Sequence, residues 1–224
     1  MTKLILPQNV YAEIVTSVCE TREGLETGVT LFGTNLGTPS ETYTDHLVLA
    51  VAGPGRRATH EPAHYSGDDD YSNAVFGALR SAMPGISWIG ELHVHPKGMT
   101  WLSPGDRRTV KEILTGRDHT LHPREFIAGV MQRKKGSVDI YPYHFTREWL
   151  EGNPMELRIV EPDAPIIHQA RLKGIKNDRS CICKKPEGSR EALDEAPCHH
   201  WLRQWWERAR RYGRKVRHRQ TDAG

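Results

Sequence analysis

The sequence has no apolar run that approaches the ~20 residues a membrane-spanning helix needs. We therefore exclude a membrane protein, and the 37% content of hydrophobic residues also excludes a disordered or collagen-like chain. The first residues, MTKLILPQNVYAEIV, contain only three consecutive apolar residues, too few for a secretory signal. We expect a cytoplasmic protein whose 224 residues form one core of ordinary size plus an appendage.

Net charge is also small, +3, and it is unevenly placed. Between residues 203 and 219, eight arginines and lysines accompany a single acid, Glu207, so the rest of the chain is mildly acidic. The pattern of helices and strands also weakens beyond Thr146. We predict one domain over residues 1–146 and a basic C-terminal extension over residues 147–224.

Helical and strand-like patterns alternate along the first domain, which predicts an α/β fold with a mixed sheet flanked by helices. Residues 53–70 lack any period and are expected to form a loop. Strands are expected at 28–32, 46–52, 86–95, 125–132 and 138–145, and helices near 10–18, 71–83 and 107–114.

The stretch HVHPKGMTWLSPGD, residues 93–106, carries the clearest chemical pattern. His93 and His95 are two residues apart on an expected strand, so their imidazoles project from one face. Ser103 and Asp106 have the spacing of a helix N-cap and its third helical residue, with Pro104 at the first helical position. Packed against the strand end, that first turn would bring the Asp106 carboxylate to both imidazoles.

Two histidines and one carboxylate with a free fourth position describe a catalytic zinc site. Zinc lowers the pKa of a bound water to about 7, a carboxylate moves the water's proton, and the Ser103 hydroxyl is placed to stabilise an oxyanion. The same donors also describe a mononuclear iron oxygenase, but that chemistry needs neither an upstream glutamate nor the serine–aspartate helix start.

This set of residues resembles the signature of the JAMM (JAB/MPN+) metalloproteases: His93-Val94-His95-Pro96, seven residues, then Ser103-x-x-Asp106. The stretch ETGVTLFG, residues 26–33, resembles the segment in which that family carries its catalytic glutamate. The resemblance implies a mostly antiparallel sheet of the JAMM/cytidine-deaminase-like type, with zinc ligands His93, His95 and Asp106. It also implies Glu26 as general acid/base and Ser103 as oxyanion donor.

The resemblance further implies a zinc metallopeptidase of the isopeptidase or deubiquitinase type. Its substrate would be a peptide or isopeptide bond after the C-terminal tail of a ubiquitin-like or sulfur-carrier protein, and GELHVHP is similar to prokaryotic JAB proteins. An extended glycine-rich tail could add as a strand beside the catalytic strand. The alternatives are a non-catalytic scaffold of the same fold and a hydrolase of a small sulfur-carrier adduct.

Other polar residues near the motif have more ordinary interpretations. Glu91 shares a strand face with His93 and is a rival base, or a residue that orients the ligands. His60 and His64 fall in the polar loop and are expected to be solvated, while His144 and Trp101 are expected to pack. The alternative for Trp101, in the loop beside Ser103, is that it forms a wall of the cleft.

The C-terminal extension holds a second candidate metal set: Cys181, Cys183, Cys198 and His199. Three thiolates and an imidazole would close a structural zinc site, but these cysteines could equally be reduced thiols in a loop. From about Trp201 a helix with a tryptophan-rich and an arginine-rich side is expected. Such a helix could pack on the first domain or dock conjugation machinery; we do not expect nucleic acid as its partner.

Overall fold

The structure, a computed structural model, describes residues 1–37, 44–95, 98–116 and 123–168. Its helices are α1 (Gln8–Cys19), α2 (Asp69–Ala82) and α3 (Pro104–Thr115). None of the helices in these ranges is both long and apolar enough to cross a bilayer. The strands are β1 (Lys3–Pro7), β2 (Gly28–Asn35), β3 (His46–Ala52), β4 (Thr59–Glu61), β5 (His64–Ser66), β6 (Ser87–Val94), β7 (Glu125–Lys134), β8 (Ser137–Thr146), β9 (Asn153–Pro154) and β10 (Glu156–Val160).

Eight of the strands form one mixed sheet in the order β10-β1-β3-β2-β6-β7-β8-β9. Strand pairs β2–β3, β2–β6, β7–β8 and β8–β9 are antiparallel, whereas β1–β10, β1–β3 and β6–β7 are parallel. The expected α/β class with a mixed and largely antiparallel sheet is confirmed. The edge strands β9 and β10 are separated only by Met155, so the sheet curls until its two edges lie side by side, almost as a barrel.

Helix α1 forms because its apolar residues recur at helical spacing. Val10, Ile14 and Val18 are buried on one stripe, and they pack in a single apolar cluster with inward-facing residues of the sheet. Leu6, Leu31 and Leu92 from three different strands belong to that cluster and are fully buried. This packing fixes the sheet that carries the candidate site.

Helix α2 begins at Asp68, whose carboxylate accepts a hydrogen bond from Tyr71 N at 3.3 Å. The same carboxylate bonds Arg57 Nη2 at 3.1 Å, which ties the preceding loop to the helix start. Two acidic residues in the first turn favour the helix further because they face its positive end. The first turn of α2 thereby comes to lie near Glu91 of β6.

Most expected elements are confirmed, but several strands were not anticipated. β1 and β10 lacked a recognisable pattern, and the supposed loop over residues 53–70 contains the hairpin β4–β5, so that expectation is wrong there. β9 and β10 lie beyond residue 146 and belong to the same sheet, which therefore extends past the predicted domain boundary. The cysteine and histidine set of the extension and the helix from Trp201 lie outside the described residues.

Candidate metal centre

Strand β6 lies at the centre of the candidate site, between β2 and β7. His93 pairs with Gly28 of β2 and with Val130 of β7, and His95 follows directly after the strand. The two rings lie 4.6 Å apart between centroids, on the same side of the sheet. The end of β6 therefore presents two imidazoles to a single point.

The first turn of α3 brings the carboxylate to the same point. Ser103 is the N-cap: its Oγ accepts from Asp106 N at 3.2 Å, and Asp106 Oδ2 accepts from Ser103 N at 2.7 Å. This reciprocal pair is a capping box, and Pro104 provides the fixed φ that suits the first helical position. The cap holds the Asp106 side chain in one orientation.

His93, His95 and Asp106, here called the His93 cluster, have the arrangement of a metal-ligand set. Asp106 Oδ1 lies 3.4 Å from His93 Nε2, and Asp106 Oδ2 lies 3.2 Å from His95 Nε2. Tetrahedral ligands with bonds of ~2.0–2.1 Å lie ~3.3 Å from one another, so both distances fit a zinc-sized ion. The two Nε2 atoms are closer, at 2.7 Å. If these two nitrogens separate slightly, the three side chains could hold a metal ion.

The charges within the His93 cluster support each other. Burial would raise the pKa of Asp106, but hydrogen bonds from His93, His95 and Ser103 lower it far below its usual range. Burial would lower the pKa of His95, yet Asp106 raises it above its ordinary value. The carboxylate is therefore ionised at neutral pH and ready to hold a cation.

Glu26 lies just before β2, where the antiparallel register brings the start of β2 against the end of β6. Val94 N donates to Thr27 O at 2.7 Å, which continues the pairing one residue past Gly28. Burial raises the pKa of Glu26, while His93 and His95 act to lower it. The side chain is half-buried and within electrostatic reach of the cluster, a suitable environment for a group that exchanges a proton.

The hairpin β4–β5 holds Glu26 in place, a role that the sequence analysis missed. His60 Nδ1 donates to Glu26 O at 2.9 Å, and Glu26 N donates to Glu61 O at the same distance. Tyr65 OH donates to Gly28 O at 3.2 Å; a Cβ on Gly28 would lie 2.5 Å from the Tyr65 ring. His60, which was expected to be solvated, is half-buried and makes this hydrogen bond to Glu26 O. The only sequence signal for a role in holding Glu26 is that His60 lies close to His64 and Tyr65.

Glu91 faces different neighbours from Glu26. Burial and the negative charge of Asp69 raise the pKa of Glu91 to about 7. The nearby Tyr65 also has a raised pKa, from burial and then from Glu91 and Asp69. The charge that acts on Glu91 is thus that of Asp69 at the start of α2, whereas the charges acting on Glu26 are those of the His93 cluster.

The loop between β6 and α3 is fastened to neighbouring strands. Gln132 Nε2 donates to Gly98 O at 2.5 Å, and Tyr143 OH donates to Thr100 O at 3.5 Å. Trp101 is 57% exposed, so it is not a packing residue. Ser103 uses one lone pair in the cap, which leaves its hydroxyl hydrogen for another acceptor.

Comparison with known proteins gives the fold some context. No family model matches the chain, and no curated protein matches it in sequence. The solution structure of protein DSY2949 from Desulfitobacterium hafniense is similar, with a TM-score of 0.51 and 15% identity. The match covers 70% of this chain and 93% of that one. At this identity the likeness concerns the fold alone.

Proposed function

We propose that the protein is a zinc-dependent peptidase of the JAMM type that cleaves a peptide or isopeptide bond. The observation that carries the proposal is the convergence of His93, His95 and Asp106 on one point, with Glu26 in electrostatic reach. His93, His95 and Asp106 would hold the ion. When bound, zinc would make a water more acidic and polarise the substrate carbonyl.

Glu26 would carry the protons of the reaction. Its raised pKa lets the carboxylate accept the proton of the attacking water and return it to the leaving amine. The bond from His60 to the Glu26 backbone oxygen holds the main chain from which this carboxylate extends. The hydroxyl of Ser103 would donate to the oxygen on which negative charge develops, because the cap occupies a lone pair and not the hydrogen.

The substrate we propose is the extended tail of a ubiquitin-like or sulfur-carrier protein, cleaved in the cytoplasm. The sheet would be covered by helices as in the JAMM/cytidine-deaminase-like layout. The C-terminal extension would form a helical appendage that docks conjugation machinery, with Cys181, Cys183, Cys198 and His199 as a structural zinc set. The scaffold alternative is less well supported, since a scaffold has no need of three converging donors and a half-buried glutamate.

The test is hydrolysis of a ubiquitin-like fusion protein, measured as purified, after treatment with a chelator and after zinc is added back. We expect turnover that is lost with the chelator and recovered with zinc but does not depend on oxygen. Oxygen-dependent oxidation would indicate the iron oxygenase. No turnover of ubiquitin-like and sulfur-carrier fusions by zinc-loaded protein would contradict the proposal.

A further inference from the structure

A second set of two histidines and one carboxylate lies at the opposite end of the sheet. His46 begins β3, Glu125 begins β7, and His144 lies near the end of β8; we call these three residues the Glu125 cluster. Strand β2 shows the separation, because its first residue, Gly28, pairs with His93, whereas its last, Asn35, pairs with His46. The Glu125 cluster therefore shares no residue with the His93 cluster.

The donor atoms of the Glu125 cluster converge on one carboxylate oxygen. Glu125 Oε2 lies 2.9 Å from His144 Nε2 and 3.6 Å from His46 Nε2. The two imidazole rings are 4.9 Å apart between centroids, although β3 and β8 are not neighbours in the sheet. All three donor atoms lie within 4.8 Å of one another, which is close enough for one ion to contact all of them after a small adjustment.

One donor atom of this cluster has no partner. His46 is 1% exposed, and its Nε2 is buried without a hydrogen-bond partner among the described residues. Its nearest charged oxygen, Glu125 Oε2, is too far for a hydrogen bond and already accepts from His144. An unpaired buried nitrogen is unfavourable, and a bound cation would satisfy it. If His144 and Glu125 formed only a hydrogen-bonded pair, His46 Nε2 would stay buried without a partner.

The surroundings hold the carboxylate in position and leave it accessible. Asn35 Nδ2 donates to Glu125 Oε1 at 2.6 Å, and Asn35 Oδ1 accepts from Gly37 N at 2.9 Å. This chain of bonds fixes the carboxylate with Oε2 toward the histidines, as residues behind metal ligands commonly do. The side chain of Glu125 is 30% exposed, so an ion can reach the donors from solvent on that side.

We propose that His46, Glu125 and His144 form a second metal site, which binds a divalent transition-metal ion such as Zn²⁺. Imidazole nitrogens together with one carboxylate suit zinc and its neighbours and do not suit Ca²⁺ or Mg²⁺. The site is structural, because both histidines are buried and the ion ties together the ends of β3, β7 and β8. It does not depend on the proposed peptidase function.

The test uses the full chain in a background that lacks the other metal candidates: His93→Ala, His95→Ala, Cys181→Ser, Cys183→Ser and Cys198→Ser. Zinc content is measured by elemental analysis after equilibration with Zn²⁺ and removal of the excess. We expect about one ion per chain. Adding His46→Gln or Glu125→Gln should abolish this binding, whereas the matched change His168→Gln at an exposed histidine should leave it intact.

Thermal unfolding keeps the proposal testable if a variant folds poorly. In the same background, excess Zn²⁺ should raise the melting temperature by roughly 5–10 °C, because the ion binds the folded chain only. Mg²⁺ at the same concentration should give no shift. Zinc content near zero in a background protein with a normal circular dichroism spectrum would overturn the proposal, as would binding that survives both His46→Gln and Glu125→Gln.

Discussion

The His93 cluster and the Glu125 cluster contain the same donors at opposite ends of one sheet, but their surroundings differ. At the His93 cluster the side chain of His93 is 18% exposed, and Glu26, whose pKa is raised by burial, lies within electrostatic reach of the group. At the Glu125 cluster both histidines are buried, and the neighbouring Asp45 already accepts a hydrogen bond from Lys3 N at 2.9 Å. We therefore expect a metal at the His93 cluster to support chemistry and a metal at the Glu125 cluster to support structure only. The donor set alone does not decide between these roles.

The largest expected effect comes from making the same substitution at the two ends. Glu26→Gln removes the proposed proton carrier and should reduce turnover by ~10²–10⁴-fold, because a general acid/base contributes that much. Its zinc content at the His93 cluster should be unchanged, since none of the three ligands is altered. Turnover of the ubiquitin-like fusion and zinc content are the two measurements.

Glu125→Gln is the matched control, and it should show the opposite pattern. Turnover per folded molecule should stay near that of the unchanged protein, while stability and metal content at the Glu125 cluster fall. The distinction between the two ends fails if Glu125→Gln reduces turnover as strongly as Glu26→Gln.

A somewhat smaller effect should follow the loss of the Ser103 hydroxyl. Ser103→Ala removes both the proposed oxyanion donor and the N-cap of α3, so kcat should fall by ~10²–10³-fold. The lost cap should also lower the free energy of unfolding by ~0.5–2 kcal/mol. Ser103→Thr keeps a hydroxyl and should retain most of both. If Ser103→Ala shows only the loss of stability, the serine is a cap and nothing more.

Sequence reasoning could find the His93 cluster because its residues are close together in the chain. His93 and His95 share a strand face, and the capping pattern from Ser103 to Asp106 fixes where the next helix begins. The Glu125 cluster has no such local signal. Its residues are 19 to 98 positions apart, and only strand pairing and the curl of the sheet bring them together. For this reason the sequence predicted a packing role for His144 and no role in a metal site.

The missed strands have equally physical explanations. β1, with the sequence KLILP, is buried along nearly its whole length, so it lacks the alternation by which a half-buried strand is recognised. The hairpin β4–β5 has only three residues in each strand and little apolar content, so loop chemistry dominates its pattern. β10 carries charged residues at an edge and becomes a strand because β1 offers it a partner.

The metal-free Glu125 cluster should also make stability depend on pH. Burial lowers the pKa of His46 to about 4, against about 6.5 in an unfolded chain. The unfolded chain thus binds more protons between these values, so stability should fall as the pH falls from 6.5 to 4, by about 3 kcal/mol at most. Urea unfolding with a chelator present should show this slope in the unchanged protein and a flatter one in His46→Gln. His168→Gln serves as the reference variant. If stability depends on pH equally in the unchanged protein and in His46→Gln, His46 is not the cause of that dependence.

The smallest effect concerns Glu91, which lies on strand β6 with His93 and is influenced by the charge of Asp69 at the start of α2. Its pKa is raised to about 7 against about 4.3 when unfolded, so the folded chain binds more protons and stability falls as the pH rises through this window. Glu91→Gln removes the cost of ionising this carboxyl and should stabilise the protein at pH 8 by ~1–2 kcal/mol. This is less than the full pKa shift corresponds to, because the side chain is only half-buried. At pH 4 it should change little. Turnover should persist, because the proposed proton carrier is Glu26; a Glu91→Gln variant that loses turnover while Glu26→Gln keeps it would exchange the two roles.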